Sequence, residues 1–346
     1  MSDTPELRPG PPWAMEEMIA AEPGLAAPVL EHPAPAQLAG WLAAAAAAGE
    51  PIVTTGCGTS EHAAMAGAAM LDEALGRPAV RARDAFEASL DPQPGGVLIA
   101  ISHEAGTAAT LAAAQAAAAN GAQVALVTAR PDVAPAGPLL VPTPLRDTSW
   151  CHTVGYVSPL LALYATAAHL AGAAPDAVAA REAMEAVAAR RDELGAAARR
   201  ISASERILAV GSGADEITAR ELALKIEEGT HVPVTPLGLE KLLHGHLPAA
   251  DERTGLVLLR IDPRQAADRD ARGEAALGAV AELDMPATTI AFTPPAALPP
   301  VAGTLLTGAL ALQLLTLELV HALGTNPDLI RREEEPYRAA AAAAGE

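Results

Sequence analysis

The chain has 346 residues, 51 % of them hydrophobic and 2 % aromatic, with 42 acidic against 23 basic side chains and a net charge of −19. That length fits two ordinary domains or one large one, and a core of Ala, Leu and Val suits helices laid against a parallel sheet. So acidic a surface repels DNA, RNA and anionic membranes, so neither nucleic acid nor a membrane is an expected partner.

The first 34 residues open with "MSDTPELRPGPPWAMEEM", acidic and proline-rich, with no basic stretch leading into an apolar one. No signal peptide is read here, and the expected location is the cytoplasm. The two cysteines, Cys57 and Cys151, form no framework, in keeping with a reducing compartment.

A repeat organises the middle of the chain. "IVTTGCGTSEHAAMA" begins at Ile52 and "ILAVGSGADEITARE" at Ile207, 155 residues on. Each reads as a short strand, then G-x-G, then a helix. That offset suits a duplicated domain rather than a solenoid. After the first copy, 97–102 reads as a buried strand, 107–121 as an Ala-rich helix and 122–129 as the next strand. This rhythm predicts an α/β fold with a doubly wound parallel sheet in each half.

The charged stretch 176–205 reads as a helical connector. The apolar run 305–324 contains Gln313, Glu318 and His321, which marks a buried helix rather than a membrane span. The expected organisation is an N-terminal helical segment (1–34), a first domain (35–173), a connector (174–200), a second domain (201–330) and a low-complexity tail (331–346).

The G-x-G turns are not dinucleotide fingerprints, because Glu61 and Glu216 stand where the third glycine belongs. What remains is a glycine turn opening a helix, where backbone N–H groups can hold an anion. "GCGTSEH" supplies Thr59 and Ser60 at such a start, and "ISHEAGT" supplies Ser102 and Thr107 at another. Helix capping would also account for these hydroxyls.

Farther on, "ELALKIEEGT" holds Lys225, one of two lysines in the chain, between Glu221 and Glu228. Positions i, i+4 and i+7 share one face of a helix predicted from about Asp215 to Gly229. A surface ladder of ion pairs would account for the spacing. So would aldose–ketose isomerisation, which needs a partly desolvated carboxylate to carry a proton between two carbons. His244-x-His246 has no third ligand at suitable spacing, so no metal is expected, and no cofactor.

"GCGTSEHA", "ISHEAGTAATL", "ELALKIEE", "LHGHL" and "GTNPDL", in that order, resemble the sugar isomerase (SIS) superfamily, and within it the isomerase half of glutamine–fructose-6-phosphate aminotransferase, which has two SIS domains in tandem. The resemblance spans about residues 15 to 335. It implies a three-layer αβα architecture in each domain. It also implies a homodimer with shared active sites, and a sugar or sugar-phosphate ligand lined by Cys57, Gly58, Thr59, Ser60, Ser102, His103, Glu104, Thr107 and Thr153. By the same resemblance Glu228 is the proton-shuttling base, His244 opens the ring from the neighbouring subunit, and Lys225 and Glu221 complete the constellation.

Departures from the pattern qualify the ligand. The family's phosphate loop reads I-S-Q-S-G-E-T where this chain has "ISHEAGT", and a carboxylate at Glu104 would repel a phosphate. Either Glu104 points away, or a protonated His103 pairs with it, or the ligand is not an ordinary phosphosugar. The family's Ser-Thr-Lys triplet is His152-Thr153-Val154 here. This sequence shows no glutaminase segment, and no lysine follows Lys241 to form an imine from the tail, so glutamine-dependent transamination is not expected. The expected activity is isomerase or deaminase chemistry on a ketose or amino sugar phosphate. The alternatives are a deglycase for amino-acid–sugar conjugates and a sugar-phosphate-binding protein without turnover.

Overall fold

In the computed structural model, which describes residues 5–344, the G-x-G turns set the local architecture. A Cβ on Gly56 would fall 2.5 Å from the Ser60 carbonyl oxygen, so the helix after the turn presses directly on the strand end. Gly58 then takes φ 56° and ψ −125°, a conformation closed to side chains. Gly211 and Gly213 repeat both features, with φ 66° and ψ −128° at Gly213.

Three helices come first, α1 (Ala14–Ala21), α2 (Ala26–Leu30) and α3 (Ala34–Ala48). Strands and helices then alternate through β1 (Ile52–Gly56), α4 (Thr59–Leu75), β2 (Val80–Asp84), α5 (Ala85–Leu90), β3 (Val97–Ile101), α6 (Ala108–Ala119), β4 (Gln123–Thr128) and β5 (Leu139–Pro142). Helices α7 (Val154–Leu170), α8 (Ala177–Ala188) and α9 (Arg191–Ile201) lead to β6 (Arg206–Gly211), α10 (Ala214–Thr230), β7 (Val234–Gly238) and the single turn α11 (Leu239–Lys241). The chain closes with β8 (Thr254–Arg260), α12 (Ala266–Ala281), β9 (Ala287–Ala291), α13 (Pro300–Leu323) and α14 (Tyr337–Ala344).

Both sheets are wholly parallel, in the orders β2-β1-β3-β4-β5 and β7-β6-β8-β9. The direction of winding reverses between β1 and β3 and again between β6 and β8, and in open parallel sheets it is outside the carboxyl ends of such strands that ligands bind. Helix α6 covers the outer face of the first sheet through Val53, Leu98, Ala117 and Leu126, and α12 that of the second through Leu208, Leu256, Ala276 and Val280. The inner faces share one apolar core, running from Leu38 and Leu71 through Leu163 to Ile226 and Leu315. The expected α/β architecture, parallel sheets between helical layers, is what the chain adopts.

The stretch read as a connector is more than a linker. Helices α8 and α9 bury Met184, Val187, Leu194 and Ile201 and pack against α13. Helix α13 is the one helix among the described residues long and apolar enough to cross a membrane, yet residues 301–320 are buried except Glu318. Tail helix α14 buries no residue, and the last two residues of the predicted tail lie outside the described residues.

Candidate functional site

Helix α10 runs from Ala214 to Thr230, one residue longer at each end than its sequence predicts, and puts Glu221, Lys225 and Glu228 on one face. This is not a surface ladder, since Lys225 and Glu221 have no exposed side-chain area. Lys225 Nζ lies 2.5 Å from Glu228 Oε2 and 3.6 Å from Glu221 Oε1. Burial alone would lower the ammonium pKa, but the two carboxylates more than offset it, and the net shift is upward. For Glu228 burial pushes the carboxyl up and Lys225 pulls only part of that back. Its side chain remains 21 % exposed. A carboxylate raised in pKa, held by one cation and still reachable is equipped to take and return a proton.

Glu221 faces the other way as well, because its Oε2 lies 2.7 Å from His62 Nδ1 on α4. A carboxylate only accepts, so Nδ1 donates. A Cβ at Gly58 would sit 3.9 Å from Leu224, so residue numbers rise along α4 as they fall along α10. The helices are antiparallel there, which sets the turn 57–59 level with the C-terminal half of α10.

Neither α4 nor α6 carries a side-chain cap, so the capping explanation for Thr59, Ser60 and Thr107 does not hold. Ser102 Oγ donates to Thr107 Oγ1 at 3.4 Å, and Cys57 Sγ lies 3.6 Å from Thr110 Oγ1. Both turns thus present hydroxyls and helix-start N–H groups at the carboxyl ends of β1 and β3.

The structure decides how Glu104 is accommodated. Arg146 Nε lies 2.9 Å from both its oxygens, and Arg130, itself bonded to Asp132, comes within 3.7 Å of one, so Arg146 is its main counter-charge. His103 is not the protonated partner. Its Nε2 accepts the Asp147 backbone N–H at 2.9 Å, and burial, with the neighbouring His152, lowers its pKa to about 4. Asp147 in turn accepts N–H groups from Ser149, Thr153 and Gly155 and so shapes the loop 147–155. Thr153 is fully buried in that loop, with its carbonyl accepting from Gln313.

Loop 147–155 closes the group. Cys151 Sγ donates to the Lys225 carbonyl at 3.9 Å and lies beside Glu228, and the His152 ring centroid is 5.3 Å from that of His103. Three segments therefore meet within one chain: the turn 57–60, the loop 102–107, and residues 225–228 of α10. His244 does not join them. Its side chain is 72 % exposed and Nε2 sits 3.1 Å from Glu240 Oε2. His62 and Arg146 carry no signal in the sequence, because their partners Glu221 and Glu104 are 159 and 42 residues away and no local pattern marks them.

The equivalent place in the second sheet is differently used. A cavity of about 210 Å³ there is lined by Ser212, Asp215, Asp262, Arg269 and Phe292. The Ala214 N–H already donates to Asp262 Oδ2 at 3.0 Å, and Arg264 bonds the same carboxylate. Its anion position is filled from within the chain. Among the described residues, no group of three or more His, Cys, Asp or Glu could hold a metal ion.

Residues 48–136, which contain β1 to β4, match the family model of the SIS domain. No curated protein matches the chain. Among solved structures, the C-terminal domain of glucosamine-fructose-6-phosphate aminotransferase from Francisella tularensis is 16 % identical, with 93 % of this chain and 99 % of that one covered and a TM-score of 0.74. Tagatose-6-phosphate ketose/aldose isomerase from Escherichia coli is 17 % identical, with 92 % and 95 % covered and a TM-score of 0.75. Glucosamine-6-phosphate deaminase from Thermotoga maritima is 14 % identical, with 91 % and 96 % covered and a TM-score of 0.68. At these identities the likeness is one of fold.

Proposed function

We propose that this protein is a cytoplasmic sugar-phosphate isomerase or deaminase with two SIS-type domains, at 35–173 and 201–330, working as a homodimer. The observation that carries this reading is Glu228 on α10, raised in pKa and bonded to a fully buried Lys225 at 2.5 Å. The similarity in fold to enzymes acting on 6-phosphosugars supports the substrate class.

The phosphate is held by Thr59, Ser60, Ser102 and Thr107 with the adjoining turns at Cys57 and Gly58. Glu104 does not oppose it, because Arg146 compensates its charge. His244 of a second copy opens the ring. Glu228 removes a proton from C1 or C2 of the open sugar and returns it to the other carbon, while Lys225, steadied by Glu221, restrains the carboxylate and offsets developing oxyanion charge. His103 and Thr153 build the loops behind the site.

One observation favours a second reading. Glu104 paired with Arg146 puts an ion pair beside the loop, which the ammonium and carboxylate of an amino acid joined to a sugar can open and replace. Glu228→Gln tests the proton-transfer role directly. Turnover should fall by at least a hundredfold, of the order general-base catalysis supplies, while sugar-phosphate affinity by calorimetry stays within about threefold. Undiminished turnover, or binding with no turnover in the wild type, would rule out Glu228 as the base.

A further inference from the structure

Of residues 151–153, Cys151 and Thr153 are fully buried and His152 alone retains exposure. It follows the cysteine that touches Lys225 and Glu228, and its ring leans on His103 of the 102–107 loop at an interplanar angle of 56°. A Cβ at Gly155 would come within 3.1 Å of the His152 Cβ and 3.2 Å of its Nδ1, so the start of α7 is cut back to admit the ring. The imidazole thus lies against the 102–107 loop and follows the cysteine that touches Lys225 and Glu228.

Resting on the isomerase reading, we propose that His152 is a further catalytic residue, which moves protons between the two sugar oxygens while Glu228 moves them between the two carbons. A neutral imidazole has one N–H to give and one lone pair to receive, which a carboxylate bonded to a lysine lacks. The charged or titratable neighbours acting on the ring are Lys225 from α10, Glu104 and His103 from the loop after β3, Arg146 from the loop after β5, and Arg332 from the tail segment. Burial first, then Lys225, holds the ring neutral, with its pKa lowered to about 4.

The step balances without another reactant. Glu228 takes the proton from one carbon as an imidazole N–H protonates the carbonyl oxygen, giving an enediol. The ring then recovers a proton from the hydroxyl on the deprotonated carbon as that carbon becomes the carbonyl, and Glu228 delivers its proton to the other carbon, the former carbonyl.

The test compares His152→Phe and His152→Gln with the wild type by proton NMR in D2O. Two substrates serve: fructose 6-phosphate, and 5-deoxyfructose 6-phosphate, which cannot close a furanose ring. His152→Phe should lose aldose–ketose conversion about a hundredfold on both, with KM changed less than threefold. Its ratio of carbon-bound deuterium uptake to conversion should rise, because the carboxylate still exchanges protons at carbon. His152→Gln, which keeps a donor and an acceptor, should recover part of the loss. Conversion within threefold of wild type in His152→Phe, or a loss with an unchanged exchange ratio, overturns the inference alone. No exchange by the wild type on either sugar overturns the isomerase reading and takes the inference with it.

Discussion

Lys225 explains why a chain with 21 arginines uses a lysine here. A fully buried slot between two carboxylates on one helix takes a compact point charge, and a planar guanidinium does not fit it. Lys225→Met leaves Glu221 and Glu228 facing each other with no cation between them. The expected cost is about 3 kcal/mol in urea unfolding, with turnover lost, and Lys225→Arg should restore neither. His103 gives a second residue-level expectation. With a folded pKa of about 4 against 6.5 unfolded, the unfolded chain binds more protons between those values. Stability from this group is therefore complete above pH 6.5 and lost as pH falls toward 4. His103→Gln keeps an acceptor for the Asp147 N–H, so its melting temperature should fall less steeply than the wild type's from pH 7 to pH 5. Parallel slopes would mean that His103 is not held neutral. Among single residues the face of α10 was legible, because 221, 225 and 228 follow the helical period. The compensation of Glu104 was not, because Arg146 comes from the loop after another strand.

The two G-x-G turns share a backbone yet differ in what faces the helix start. At α4 no side chain caps the helix, whereas at α10 Asp262 already bonds the Ala214 N–H. Gly58→Ala and Gly213→Ala should each cost about 1–3 kcal/mol of stability for forcing a side chain into a glycine conformation. Sugar-phosphate affinity should fall only in Gly58→Ala, because the proposed reading puts the phosphate at that turn, whereas at the other helix start Asp262 takes the Ala214 N–H. Equal loss of affinity in both, measured by calorimetry with thermal melts alongside, would contradict the assignment of the site to the first sheet. The alternation of strands and helices, and both turns, could be read from the hydrophobic runs and their glycines. The role of α8 and α9 could not, because their apolar faces are satisfied by α13, which lies far along the chain at Pro300–Leu323.

Across the whole molecule, two parallel sheets share one core built on their inner helices, so the first sheet's loops and α10 of the second half meet at a single place. His244 stands outside that place in its own chain, on an exposed segment held to Glu240. A dimer that exchanges this segment makes a specific demand. Mixing Glu228→Gln with His244→Ala, each inactive, and letting subunits exchange should restore about a quarter of wild-type activity through hybrid dimers with one intact site. No recovery after exchange would place ring opening elsewhere. The overall α/β class was foreseeable from an Ala-, Leu- and Val-rich composition with little aromatic content. The joining of the halves was not, since small side chains on every helix leave no local sign of which helices meet.

Proton transfer by Glu228 is read out without intermediaries by proton NMR of the wild type and Glu228→Gln in D2O with fructose 6-phosphate and glucosamine 6-phosphate, with and without ammonium. Deuterium entering at C1 or C2 with the wild type and absent with Glu228→Gln is the predicted result. Equal exchange by both proteins, or none by the wild type on either sugar, would contradict a proton shuttle on α10.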